Sequence, residues 1–153
     1  MTRFTASTQS AATLKSSRKD VWSALTDPKL LPRLTPYLQS IDVEDDRWTW
    51  NVTKVPVLGK SIGTTFTEVM TFEEPHRIVF THDSSRTDEN SGVEGEYLLE
   101  EDGTGCRVSI DIGVHVDLPF PKATRLAVEG TMKGVMAAMG RRFAHNLLKY
   151  LGE

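Results

Sequence analysis

From Cys106 to Asp117 the chain alternates without a break, with Val108, Ile110, Ile112, Val114 and Val116 at every second position. A strand patterned this way buries one face and presents the other to solvent. After Pro119 and Pro121 the period becomes helical and holds to Leu151, about 30 residues or roughly 45 Å of helix. The strand before it, about 12 residues long, spans about 40 Å. The helix has no heptad repeat, and the chain has no run of the roughly 20 apolar residues that a membrane span needs. Such a helix buries its apolar stripe most economically along the long axis of a curved antiparallel sheet. On a helical wheel Val128, Met132, Val135, Met136, Met139, Phe143, Leu147 and Tyr150 share one broad face, expected against the sheet. Ala127, Gly130, Gly134, Ala138, Arg141, His145 and Lys149 lie opposite, where each glycine weakens the helix by about 1 kcal/mol relative to alanine.

The rest of the chain supplies that sheet. Arg3 to Leu14 carries Phe4, Ala6, Ala12 and Leu14 at even spacing, a half-buried first strand. Ser17 can cap a short helix holding Val21, Trp22 and Leu25, and Asp27-Pro28 starts a second with Leu30, Leu31 and Leu34 on its face. Pro32 and Pro36 keep that helix brief. Three hairpins follow, turning at Glu44-Asp45-Asp46, Glu73-Glu74-Pro75 and Asp102-Gly103-Thr104-Gly105. Val55 to Gly63 is an oddly apolar connection with three readings: a lid, a loop packed on its own domain, or a membrane-touching loop. The single Lys60 argues against the last.

With 153 residues, 39% hydrophobic and 25% charged, the chain suffices for one core, and a single domain over 1–153 is expected. Eighteen basic residues against 21 acidic ones give a formal net charge of -3. No global positive field favours nucleic acid or anionic lipid, so neither a nucleic-acid partner nor stable membrane insertion is expected. Cys106 stands alone and Met1-Thr2-Arg3-Phe4-Thr5 has no apolar signal run, so the expected location is cytoplasmic. No HExxH pair or Cys/His cluster suggests a metal, no cofactor motif is present, and no GxSxG elbow anchors a nucleophile. Asn51-Val52-Thr53 matches a glycosylation triplet by accident if no secretory signal operates.

The order strand, two short helices, six strands, long helix resembles the helix-grip fold of the START-like superfamily, also called SRPBCC. Asp20-Val21-Trp22-Ser23-Ala24-Leu25-Thr26-Asp27-Pro28 is similar to the opening helix and turn of many members, and Glu74-Pro75-His76-Arg77-Ile78-Val79-Phe80-Thr81 to their proline-arginine strand start. The bacterial polyketide cyclase/dehydrase-type members look nearest. The resemblance implies an α+β fold with a curved seven-stranded antiparallel sheet, two short helices and one long C-terminal helix. It also implies a cavity between sheet and helix with its mouth near the helix start. Candidate lining residues are Trp48, Trp50, Phe66, Met70, Phe72, Phe80, Tyr97, Met132, Met136, Met139 and Phe143. Methionine adapts to varied apolar shapes, although such residues also serve simply to fill a core.

Arg125 and Glu129 fall in the first turns of the long helix, where they either meet a polar head group or form an exposed i,i+4 ion pair. Glu68 is in phase with Phe66 and Met70, and His82 with Phe80, so the two are the candidates for proton transfer inside the cavity, against a solvated reading for both. Asp111, His115 and Asp117 are out of phase with the aliphatic stripe and are expected to face water, and His76 and His145 invite no chemical role. The expected function is binding of a small hydrophobic or amphipathic ligand, lipid-like or polyketide-like. The alternatives are a cyclase or aromatase-like enzyme on the same fold and an interaction module akin to the Aha1-like co-chaperones, using Gly130, Gly134 and Ala138.

Overall fold

A computed structural model describes all residues from 1 to 153. The elements run β1 (Thr2–Leu14), α1 (Arg18–Leu25), α2 (Leu31–Leu34), β2 (Leu38–Glu44), β3 (Arg47–Val57), β4 (Lys60–Glu73), β5 (Arg77–His82), β6 (Ser91–Asp102), β7 (Gly105–Leu118), a 3-10 turn (Lys122–Thr124) and α3 (Arg125–Tyr150). The strands form one seven-stranded sheet in the order β1-β7-β6-β5-β4-β3-β2, every neighbouring pair antiparallel. This is the α+β helix-grip architecture that the resemblance implies, with the long helix against a curved antiparallel sheet as the periodicity predicts.

The helix forces the sheet to curl. In a flat sheet five strand spacings separate β1 from β3, about 24 Å, whereas a helix is only about 10 Å wide. Yet α3 packs against both strands. At 26 residues, α3 is about 39 Å long and spans the concave face from end to end.

Local chemistry sets the boundaries. The Ser17 side chain accepts the Asp20 N–H at 3.2 Å and caps α1. Asp27 Oδ1 accepts the N–H groups of Lys29 and Leu30, but this closes a turn, and α2 proper begins only at Leu31. The apolar segment from Val55 to Gly63 is not a loop. It is the tip of the β3–β4 hairpin, with Val57 opposite Lys60 and a two-residue turn at Leu58-Gly59, both at positive φ. The reading as self-packed chain fits it, because Val57 is buried beneath the first turns of α3.

Two apolar clusters hold the fold together. One, at the end carrying α1, α2 and the C-terminal part of α3, joins Val21, Leu25, Leu31, Ile78, Leu99, Cys106 and Leu147 among others. The other, at the start of α3, joins Phe4, Val57, Val116, Leu118, Val128 and Met132. On the convex side the β5–β6 connection is tied down by Arg47 to Asp83 at 2.9 Å and by Glu89, which accepts both the N–H and the hydroxyl of Thr67 at 2.7 Å. No helix is long and apolar enough to cross a membrane.

Candidate functional site: an apolar cavity between sheet and helix

Between the two clusters the sheet and α3 do not meet. They enclose a cavity of about 950 Å3 lined by 44 residues, 32 of them hydrophobic. All seven strands reach it, β2 and β5 by one residue each, Leu38 and Phe80, and the aliphatic stripe of β7 from Val108 to Leu118 forms its floor. Trp48, Trp50, Phe66, Met70, Phe80 and Tyr97 from the sheet and Met132, Met136, Met139 and Phe143 from α3 all lie on its wall. The aromatics brace one another: Trp50 stacks on Phe66 with centroids 6.0 Å apart, and Phe80 meets Tyr97 edge-on at 5.3 Å. Phe72, in phase with them, turns away. It is 42% exposed and packs between Trp22 and Trp48 outside the cavity. Tyr150, placed on the inner face by the wheel, is exposed at the helix end.

The cavity opens along its side, not at the start of α3. That end is walled off by the cluster around Phe4, Val57 and Met132, of which Val57 and Met132 face the cavity. It is also fastened by hydrogen bonds: Glu129 Oε2 accepts the Thr5 N–H at 2.8 Å, and Arg125 Nη1 donates to Arg3 O and to Glu129 Oε2, both at 3.0 Å. Arg125 and Glu129 thus form an i,i+4 ion pair that binds helix to strand, and neither lines the cavity. At the far end Glu153 accepts from Lys15 N and Ser16 Oγ, both at 2.7 Å. Between these ties α3 stands off from β1. Ser10 and Ala12 share the inward phase of Phe4 and Leu14, yet they are exposed and line the cavity, as do Lys133, Gly140 and Arg141 across the gap. The slit is rimmed by small hydroxyl residues on one side and two cations on the other.

The interior holds few polar groups. Glu68 is 2% exposed and lines the cavity. Removal from water pushes its carboxyl well above the usual carboxylate range, with no partner to oppose the shift. Tyr97 is half-buried and lines the cavity, and burial, with a smaller contribution from the Glu68 charge, pushes its phenol upward. The indole N–H of Trp50 is buried without a partner.

His82 pairs with Glu68 in backbone register, but its ring is not part of the cavity wall. It lies edge-on against His115, centroids 4.9 Å apart, and its Nδ1 is buried without a partner. Gly92 makes room for the two rings, since a Cβ there would stand 2.6 Å from His82 Nδ1. His115 is therefore half-buried, not open to water as its phase suggested, and this lowers its basicity. Asp111 is exposed as expected, and Asp117 is bound by Arg3 at 3.0 Å. The residues that phase reasoning missed are those of the middle of β1. Their short polar side chains carry no signal of a cavity until α3 is seen to stand away from them.

Comparison with solved structures gives the same architecture. A conserved protein from Geobacillus kaustophilus matches with a TM-score of 0.71 at 15% identity, covering 95% of each chain. The Zhui aromatase/cyclase from a Streptomyces species matches at 0.70 and 12% identity, over 97% of this chain and 94% of that one. A START superfamily protein from Mycobacterium smegmatis matches at 0.67 and 14% identity, over 95% and 97%. At such identities the likeness is one of fold. No curated protein matches the sequence. The family model described as polyketide cyclase/dehydrase and lipid transport matches residues 1–151. With that match over nearly its whole length, the chain belongs to the polyketide cyclase/dehydrase and lipid transport family.

Proposed function

We propose that this protein binds a small hydrophobic or amphipathic molecule, lipid-like or polyketide-like, between the sheet and α3. The observation that carries this reading is the cavity itself, about 950 Å3 and predominantly apolar, between two apolar clusters that close the fold at either end of α3. Its size lies in the range of small-molecule sites. Burying about 300 Å2 of apolar ligand surface is worth about 7.5 kcal/mol before association costs. Losses of several kcal/mol on association leave affinities of about micromolar order unless polar contacts add to them. Family membership and the fold shared with an aromatase/cyclase support the same reading.

The test is native mass spectrometry and solvent extraction of freshly purified protein, followed by displacement of an apolar fluorescent dye. Co-purification of an apolar molecule, or saturable displacement, supports binding. Absence of both overturns it.

One observation favours a second reading, a cyclase or aromatase-like activity, namely the Glu68 carboxyl buried in the cavity wall. A protonated acid there can donate a proton to a carbonyl oxygen as an enol forms, and its conjugate base can accept one back. His82, expected as its partner, faces His115, which leaves Glu68 as the proton-transfer residue of this reading. Loss of turnover of an identified polyketide substrate in Glu68→Gln, with the melting temperature retained, is the outcome that supports it.

A further inference from the structure

Deep in the largely apolar wall the hydroxyls of Thr64 and Ser91 bond each other, whereas two further groups, both able to donate a hydrogen bond, face the cavity without a protein partner. Glu68 projects from β4 and Tyr97 from β6, both into the cavity. Neither the carboxyl nor the hydroxyl has a hydrogen-bonding protein partner. Buried polar groups ordinarily do, because an unpartnered one costs about 1–3 kcal/mol. The wall between them is continuous. Met70, two residues on from Glu68, is opposite Phe80 in register, and the Phe80 ring meets Tyr97. Gly95, opposite Phe80, carries no side chain to separate them.

Resting on the reading of the cavity as a binding site, we propose that Glu68 and Tyr97 are its specificity-determining residues, selecting apolar molecules that carry carbonyl or hydroxyl oxygens and turning away anions from the interior. An acid with no cation or donor beside it is favoured in its uncharged form, in which it donates a hydrogen bond. Tyr97 donates as well. A ligand oxygen placed at either point satisfies a group that is otherwise without a partner, whereas a pure hydrocarbon leaves both unmade. A carboxylate ligand can accept from the protonated Glu68, but its charge must leave water for an interior that offers it no cation. The cations that reach the cavity, Lys133 and Arg141, are exposed on α3 at the slit, so an anionic head has a place at the rim but none inside.

Three probes of one shape separate the possibilities: 2-acetylnaphthalene, 2-ethylnaphthalene and 2-naphthoate, each titrated against wild type, Glu68→Gln, Glu68→Leu and the double variant Glu68→Leu/Tyr97→Phe. The replacements remove a buried acid or a single hydroxyl, and unfolding curves recorded alongside confirm that all four proteins are folded. The double variant is expected to lose about tenfold in affinity for the ketone, the worth of one to two neutral hydrogen bonds. Its affinity for the ethyl compound stays level or rises. Glu68→Gln, which keeps a neutral donor, holds the ketone as wild type does. Isotope-edited infrared spectra should place the bound carbonyl stretch below its position in hexane in wild type, and nearer to that position in the double variant. The naphthoate binds more weakly than the ketone to wild type.

Ketone affinity and carbonyl frequency unchanged in the double variant overturn the proposal while the cavity reading stands. Naphthoate binding as tightly as the ketone to wild type also overturns it. Failure of all three probes to bind any of the four proteins overturns the cavity reading, and this proposal with it.

Discussion

Glu129 on α3 and Thr5 on β1 are joined by a hydrogen bond of 2.8 Å from the strand's backbone N–H to the helix's carboxylate. The Thr5 N–H belongs to the free edge of β1, so a side chain from the helix completes what the sheet leaves open. That bond is the main reason the Glu129 carboxyl titrates below the usual glutamate value, and Arg125 adds to the effect. A carboxylate whose folded-state value is depressed contributes stability above its unfolded value and loses it as pH falls through the folded one. Glu129→Ala is therefore expected to lower the melting temperature at neutral pH and to flatten the acid limb of the stability profile. Thermal unfolding from about pH 3 to about pH 7 measures both.

Glu68 has the opposite sign. Its folded-state value is raised by burial alone, so the folded protein holds a proton that the unfolded chain releases once pH exceeds the ordinary glutamate value. Stability is full below that value and falls as pH rises toward the folded one. Glu68→Gln should abolish this decline and be more stable than wild type at neutral pH and above. Chemical denaturation of both proteins across that range checks it, and an unchanged slope counts against a buried acid.

The filled core and the cavity wall should respond differently to truncation. Leu99 is 1% exposed within the larger cluster and does not line the cavity. Leu99→Ala is expected to cost about 2–5 kcal/mol. Met139 already borders empty space, and a side chain without partner atoms on one side has less packing to lose, so Met139→Ala should cost less than about 1 kcal/mol. Urea unfolding gives both values, and dye binding should change only in the second variant.

Gly130 and Gly134 sit on the exposed side of α3, where an added Cβ would meet nothing within 4 Å. Each is thus an uncompensated weakness in the helix spanning the cavity. Gly134→Ala is expected to stabilise the protein by about 0.5–1 kcal/mol. Amide hydrogen exchange should slow in the middle of α3 in this variant, which is the readout that locates the effect.

The sheet and α3 were legible because period two in β7 and period 3.6 in the helix leave little room for another reading. The β3–β4 tip was not, because the register shifts between Val52 and Val55, with Lys54 at positive φ, and the shift breaks the alternation that marks a strand. Phase placed Glu68 correctly on the inner face but gave His82 the same direction. It could not foresee that the absent side chain at Gly92 lets two imidazoles, 33 positions apart in the chain, come together. Tyr97 stands among the expected wall residues, but as an aromatic surface, since nothing in the alternation marks its hydroxyl as a polar group facing the cavity.

The apolar clusters stand at the two ends of α3 with the cavity between them. Each pole keeps buried residues that do not touch the cavity, Val21, Ile78, Leu99 and Cys106 at one and Phe4 and Val128 at the other, so folding has anchors apart from the lining. A chain organised in this way can exchange its lining one position at a time for another chemistry while both poles keep assembling. Backbones that still superpose at TM-scores of 0.67 to 0.71 with only 12–15% identity are what such a division produces.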